Sequence, residues 1–207
     1  SGSSLADNAL ENISYAYYAN ADYEEAITSF KEAIDSKVIN EGGLEIQKIL
    51  EDSYLKSAQE YYSNDEHKES AESYIKAAEI LKEIKDNFPN TNEAFSAVNK
   101  IPEYLYNAAL NFNKINDLDK SIEALEEIIN NYYGSEYFNS ANILLFDVYV
   151  DQAIKIVGEF NYTGGIEEFL KILDLEVEDK YHSDIPDIKK RKVFFNISAD
   201  TIKSIAE

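Results

Sequence analysis

Histidine is the side chain best suited to move protons or bind metals near neutral pH, and this chain has two, His67 and His182. A metal centre or a histidine general base needs partners at fixed spacing, such as a second histidine one helical turn away. His67 instead stands in the polar run Asn64-Asp-Glu-His-Lys-Glu69 and His182 in Lys180-Tyr-His-Ser-Asp184, so both read as solvated turn residues. Adjacent carboxylates occur at Glu24-Glu25, Glu126-Glu127 and Glu167-Glu168. General acid–base chemistry would need such groups to converge in an apolar pocket that drives their pKa values apart. Their spacing puts them on the outward faces of amphipathic helices, in solvent. Gly164-Gly165 lacks the further glycines and the Lys-Ser/Thr of a phosphate loop, and no Gly-x-Ser-x-Gly elbow is present. The oxygen-rich run Asp86 to Asn92 is interrupted by Phe88 and Pro89 and lacks the glycine of a calcium loop. With no cysteine in the chain, thiolate sites and thiol nucleophiles are excluded. No catalytic residue, cofactor or metal site is expected.

Tyrosine is the residue type that stands out. The chain has 16 tyrosines and a single arginine, Arg191. A rigid ring with a polar tip is an effective contact for another protein. The cluster Lys189-Lys-Arg-Lys192 is the one basic patch, read as a solubilising turn rather than a dock for an acidic partner or lipid headgroups. Asn12, Asn161 and Asn196 begin glycosylation sequons, as chance provides in an asparagine-rich chain.

The elements that carry these residues follow from the apolar spacing. Ala26, Ile27, Phe30, Ala33 and Ile34 form one helical stripe. Ala71, Ile75, Ala78 and Leu81 form a second, Ile122, Leu125, Ile128 and Ile129 a third, and Ile166, Phe169, Leu170 and Leu173 a fourth. A Tyr- and Ala-rich helical segment precedes each. Between them lie Asn20-Ala-Asp22, Asn64-Asp-Glu66, Asn116-Asp117 and Asn161-Tyr-Thr-Gly164, residues that stop one helix and cap the next. Pro89 and Pro102 punctuate the longest connection. The unit is helix, tight turn, helix, used four times.

These units resemble the tetratricopeptide repeat, in which an aromatic precedes the turn and a small residue, then an aromatic and a further small residue, follow it. The matching residues are Tyr17, Tyr23, Ala26, Phe30 and Ala33; then Tyr62, Lys68, Ala71, Ile75 and Ala78; then Phe112, Leu118, Ser121, Leu125 and Ile128; then Ile156, Tyr162, Gly165, Phe169 and Ile172. Ala26, Ala71, Ser121 and Gly165 would sit where paired helices cross. The units are longer than the ~34 residues of a regular repeat, and the tryptophan and Leu-Gly pair of its first helix are missing. Asn131-Tyr-Tyr-Gly-Ser-Glu-Tyr137 resembles a joint found in the tetratricopeptide proteins of bacterial cell envelopes, with glycine where those have proline.

The resemblance implies an all-α, right-handed α-solenoid of about four repeats, near residues 5–40, 44–86, 91–131 and 135–174. Residues 175–207 would form a cap or a truncated fifth repeat, and Ser1-Gly-Ser-Ser4 reads as the scar of a cleaved tag. It also implies a non-catalytic scaffold whose first helices line a concave groove. By repeat phase the groove side chains are Asn8, Glu11, Asn12, Tyr15, Tyr18, Ser53, Lys56, Glu60, Tyr106, Asn107 and Lys114, while Tyr17 and Tyr62 turn into the core. That set has no clamp for a terminal carboxylate and suits a neutral or basic peptide or helix. The alternative is a structural part of a bacterial envelope assembly that touches partners through its outer faces. The net charge of −21, from 40 acidic and 19 basic residues, repels nucleic acids and anionic lipid surfaces. No apolar run approaches the roughly 20 residues of a membrane span. The Asn-, Ile-, Lys- and Tyr-rich usage and the envelope-type joint point to a bacterial parent, extracytoplasmic or membrane-anchored.

Overall fold

The three turns that connect paired helices share one backbone solution. In the computed structural model, which describes residues 3–36, 43–158, 164, 165 and 167, Ala21, Asp65 and Asn116 all take positive φ, at 64°, 61° and 59°. The amide of the next residue reaches back five positions: Asp22 to the Tyr17 carbonyl, Glu66 to Tyr61, and Asp117 to Phe112, at 3.0, 2.9 and 3.0 Å. This left-handed closure satisfies carbonyls that a helix end would otherwise leave without donors. The carbonyls of Asp22, Glu66 and Asp117 then accept from Ala26, Ser70 and Ser121, opening the second helix.

Seven helices result among the described residues: α1 Ser3–Ala19, α2 Tyr23–Asp35, α3 Leu44–Ser63, α4 His67–Asn87, α5 Asn92–Lys114, α6 Leu118–Asn131 and α7 Phe138–Gly158. No strand occurs among them. The fold is all-α, built from the repeated hairpins α1–α2, α3–α4 and α5–α6. The residues of the expected C-terminal segment, including His182 and Lys189 to Lys192, lie outside the described residues, as do Tyr162, Phe169 and Ile172 of the fourth unit. Gly165 is buried within a helical stretch.

The turn geometry corrects the register of the second unit by one residue. The counterparts of Tyr17, Tyr23, Ala26, Phe30 and Ala33 are Tyr61, His67, Ser70, Tyr74 and Ala77, not Tyr62, Lys68, Ala71, Ile75 and Ala78. Ser70 and Ala71 are both fully buried, as are Ala77 and Ala78. The apolar stripe of α4 is therefore two residues wide and cannot by itself choose the phase; the backbone turn chooses it. Tyr62, expected in the core, is 47% exposed because it occupies the position one past the aromatic site. The Ser70 hydroxyl donates to the Ala58 carbonyl of α3 at 2.8 Å, an approach only small residues permit. The Ser14 and Ser29 hydroxyls make the corresponding contact between α1 and α2 at 2.7 Å.

The chain divides between Asn111 and Phe112 into two compact units. The first centres on Ala26, Phe30, Ala33, Ile46, Ile49 and Leu50, with Leu10, Tyr15, Tyr17 and Tyr18 packed against them. In the second, α6 buries Leu118, Ala124, Leu125 and Ile128 and packs on α7, with Gln152 donating to Asp119 at 2.9 Å and the Tyr149 hydroxyl to Glu126. Pro102, expected to punctuate the longest connection, lies inside α5. The proline removes the donor that the Val98 carbonyl would have used, and its ring is fully buried in the packing. Gly134 takes φ +82°, a conformation closed to the proline found in the envelope-type joint.

Candidate functional site

Helices α1, α3 and α5 open a cleft of about 490 Å³ in the first unit. Tyr15 and Tyr18 of α1 form its aromatic wall. Spacings of three and four residues line Glu45, Lys48 and Asp52 along one face of α3, and Glu93, Ser96 and Lys100 along one face of α5. Ile49 and the α4 residues Leu81 and Ile84 contribute apolar surface.

The rings are held by more than burial. The Tyr15 ring sits edge-on against Phe30, with centroids 5.2 Å apart. The Tyr18 hydroxyl donates to Asp52 at 2.8 Å, joining α1 to α3, and its ring meets Tyr23 at 6.3 Å. Burial, then the Asp52 hydrogen bond and charge, push the Tyr18 phenol up to about 12. Burial also raises Tyr15, followed by the nearby charges of Glu11 and Glu45. Both phenols therefore stay protonated and can donate at physiological pH.

Below them the carboxylates are organised in pairs. Glu51, 6% exposed, accepts from the Tyr104 hydroxyl at 2.6 Å and from Lys100 at 3.2 Å. The Tyr104 phenol is raised by burial first and by this hydrogen bond second. Lys48 lies 3.4 Å from Glu45 and 3.5 Å from Glu93. Its hydrogen bond with Glu45 is the main reason its ammonium is held above the ordinary lysine range. Four carboxylates (Glu45, Glu51, Asp52, Glu93) thus face two ammonium groups (Lys48, Lys100) around the cleft. Such a surface can hold a neutral or cationic group between rings and carboxylates. The lining contains no histidine.

Of the side chains chosen from repeat phase, Tyr15 and Tyr18 line this cleft. Glu11 is half-buried on α1, near enough to act on Tyr15, and Asn12 is exposed; the side chain of Asn8 lies outside those described. Lys56 is half-buried on α3. Glu60 is exposed and lines a different recess with Tyr61, Asn64 and the α1–α2 turn. Tyr106 and Asn107 are half-buried on α5; burial raises the Tyr106 phenol, and the Asn107 carbonyl accepts from Asn111 at 2.8 Å. Lys114 is exposed at the end of α5, in the second unit. Ser53, expected in the groove, is fully buried instead, and its hydroxyl is satisfied by donating back to the Ile49 carbonyl at 2.7 Å.

Lys48, Asp52, Glu93 and Lys100 escaped the sequence reading. The signal that could have found them is a charged stripe of helical period along the first helix of a hairpin. His67 is a second correction. It opens α4 with its side chain only 17% exposed, its Nδ1 2.9 Å from Asn111 Oδ1 and its ring 5.6 Å from Tyr62. The one-residue register shift puts it at the position of Tyr23 and Leu118, which packs inward.

Among the described residues no group of three or more His, Asp or Glu could hold a metal ion, and no helix is long and apolar enough to cross a membrane. Two separate models of the tetratricopeptide repeat match the chain, one over residues 7–37 and one over residues 103–135. The first match covers α1 and α2, and the second the latter half of α5 with α6. The α3–α4 hairpin between them closes with the same turn. No curated protein matches the chain. Tetratricopeptide repeats generally mediate contacts between proteins and are typically non-catalytic, which supports a scaffold role.

Proposed function

We propose that this tetratricopeptide-like chain is a non-catalytic protein-binding module that holds a neutral or basic segment of a partner in the α1–α3–α5 cleft. The observation that carries this reading is the pairing of two half-buried tyrosines, Tyr15 and Tyr18, with a carboxylate-rich lining. Rings of this kind offer contact area at little entropic cost and a hydroxyl for orientation. The surrounding charge selects against acidic segments by repulsion, and the net charge of −21 steers cationic ones at a rate that falls with salt.

The test is a binding screen against short peptides graded in net charge, read by fluorescence anisotropy at low and at physiological salt. Peptides with a lysine or arginine excess should bind best, and Asp52→Asn with Glu93→Gln should weaken them about tenfold, about 1.4 kcal/mol. Selection of acidic peptides, or affinity indifferent to the double substitution, would overturn the reading.

A further inference from the structure

A second groove runs along the other side of α3, between α2 and α4. Its floor is Gln47, Leu50, Tyr54, Ser57 and Tyr61, spaced by three and four residues and so on one helical face. That face differs from the one carrying Glu45, Lys48 and Asp52. Three hollows of about 310, 360 and 230 Å³ succeed one another along it. The first two share Tyr54 and Lys76, and the last two share Glu24, Ser57 and Tyr61.

Two features of the floor point to an occupant. Gln47 is 4% exposed, and its Nε2 donates to Glu83 at 3.3 Å. A carboxylate only accepts, so this bond fixes the amide's orientation and leaves Gln47 Oε1 buried with no donor. Farther along, Ser57 is 3% exposed and its hydroxyl has no partner either. Buried polar atoms without partners cost stability, and here two of them lie along one groove. The rims are acidic: Glu24, Glu69 and Glu72 at one end, Asp35, Glu79 and Glu83 at the other. Their lysines are already engaged, Lys31 over the Tyr54 ring at 5.3 Å and Lys76 with Glu79 at 2.8 Å.

We infer that this groove docks an extended, lysine- or arginine-bearing segment of a partner protein along α3, whose donors satisfy Gln47 Oε1 and Ser57 while its cations lie between the α2 and α4 carboxylates. From Gln47 to Tyr61 the floor is about 21 Å long at 1.5 Å per helical residue, the reach of about six residues of extended chain. The groove is separate from the α1–α3–α5 cleft, and either can fail without the other.

The probe is an acetylated and amidated hexapeptide alternating lysine and threonine. It is titrated by NMR into the full chain carrying Asp52→Asn and Glu93→Gln, which weakens the other cleft. The expected result is saturable movement of the Gln47 side-chain amide and the Ser57 and Tyr61 signals. Affinity should fall at least tenfold when the exposed pair Glu69→Gln and Glu72→Gln is added, and three- to tenfold with Ser57→Ala. Shifts spread evenly over the acidic surface, or affinity unmoved by these substitutions, would show diffuse attraction and overturn the inference. Perturbation confined to Tyr15 and Tyr18 would overturn it equally.

Discussion

The Tyr104 hydroxyl of α5 donates to the buried Glu51 carboxylate of α3 at 2.6 Å, tying together two of the helices that line the cleft. Lys100, the carboxylate's other partner, is 41% exposed, so the phenol is the better-shielded donor. Tyr104→Phe keeps the ring's packing against Tyr74, 6.1 Å away, and removes only the bond. It should cost about 1–3 kcal/mol, the penalty for a buried acceptor losing a donor. Lys100→Met should cost less than Tyr104→Phe, because water can reach the carboxylate on the side the exposed ammonium occupies. Chemical denaturation of both variants measures the difference, and equal effects would contradict the assignment.

The corrected register makes a separate prediction. Tyr74, the counterpart of Phe30, is 8% exposed, whereas Ile75 is half-buried. Tyr74→Ala should destabilise by about 3–5 kcal/mol, in the range for large buried aromatics, and Ile75→Ala by clearly less. The reverse order in thermal melts would restore the phase read from the sequence.

Strain at the turns can be relieved. A left-handed conformation costs most L residues about 1–2 kcal/mol, and Ala21 adopts one at φ 64°. Ala21→Gly should therefore raise stability by about 1 kcal/mol. Asn116→Gly should gain less, because asparagine tolerates this region. Gly134→Ala should lose about 1 kcal/mol through φ +82° alone, since its Cβ would meet nothing within 4 Å. Midpoints of guanidinium unfolding at a constant slope report all three.

Much of this architecture was legible in the sequence, because Asn, Asp and the apolar stripes mark helix ends and faces locally. The hairpins, their turns and the small residues at Ala26 and Ser121 followed from that pattern. The second unit slipped because Ser70-Ala71 and Ala77-Ala78 offer two phases of equal apolarity, and only the backbone closure onto Tyr61 separates them. The cleft's charged side chains were harder to see. Lys48, Asp52 and Lys100 look like ordinary surface residues until α1, α3 and α5 are placed together, and Glu51 looks solvated until Tyr104 covers it.

Alkaline pH should weaken the fold in a defined window. The Tyr18 phenol is held at about 12 in the folded chain against an ordinary value of 10.0. Between these values the unfolded chain releases the proton and the folded chain keeps it, so stability falls as pH rises through the window and is intact below it. Tyr104 acts in the same direction. Denaturation midpoints from pH 8 to about pH 12 should decline, and Tyr18→Phe should make the decline shallower. An identical slope in the variant would show that burial and the Asp52 hydrogen bond do not raise the Tyr18 phenol.

The most direct measurement of the binding account follows isotope-labelled tyrosine rings by NMR while a lysine-rich peptide is added to the full chain. Tyr15 and Tyr18 should shift together and saturate, with an affinity that falls as salt rises and drops about tenfold in Asp52→Asn with Glu93→Gln. Movement of Tyr54 and Tyr61 in the same titration would report the α2–α4 groove separately. If the peptide binds while the Tyr15 and Tyr18 signals stay where they were, the α1–α3–α5 cleft is not the binding site.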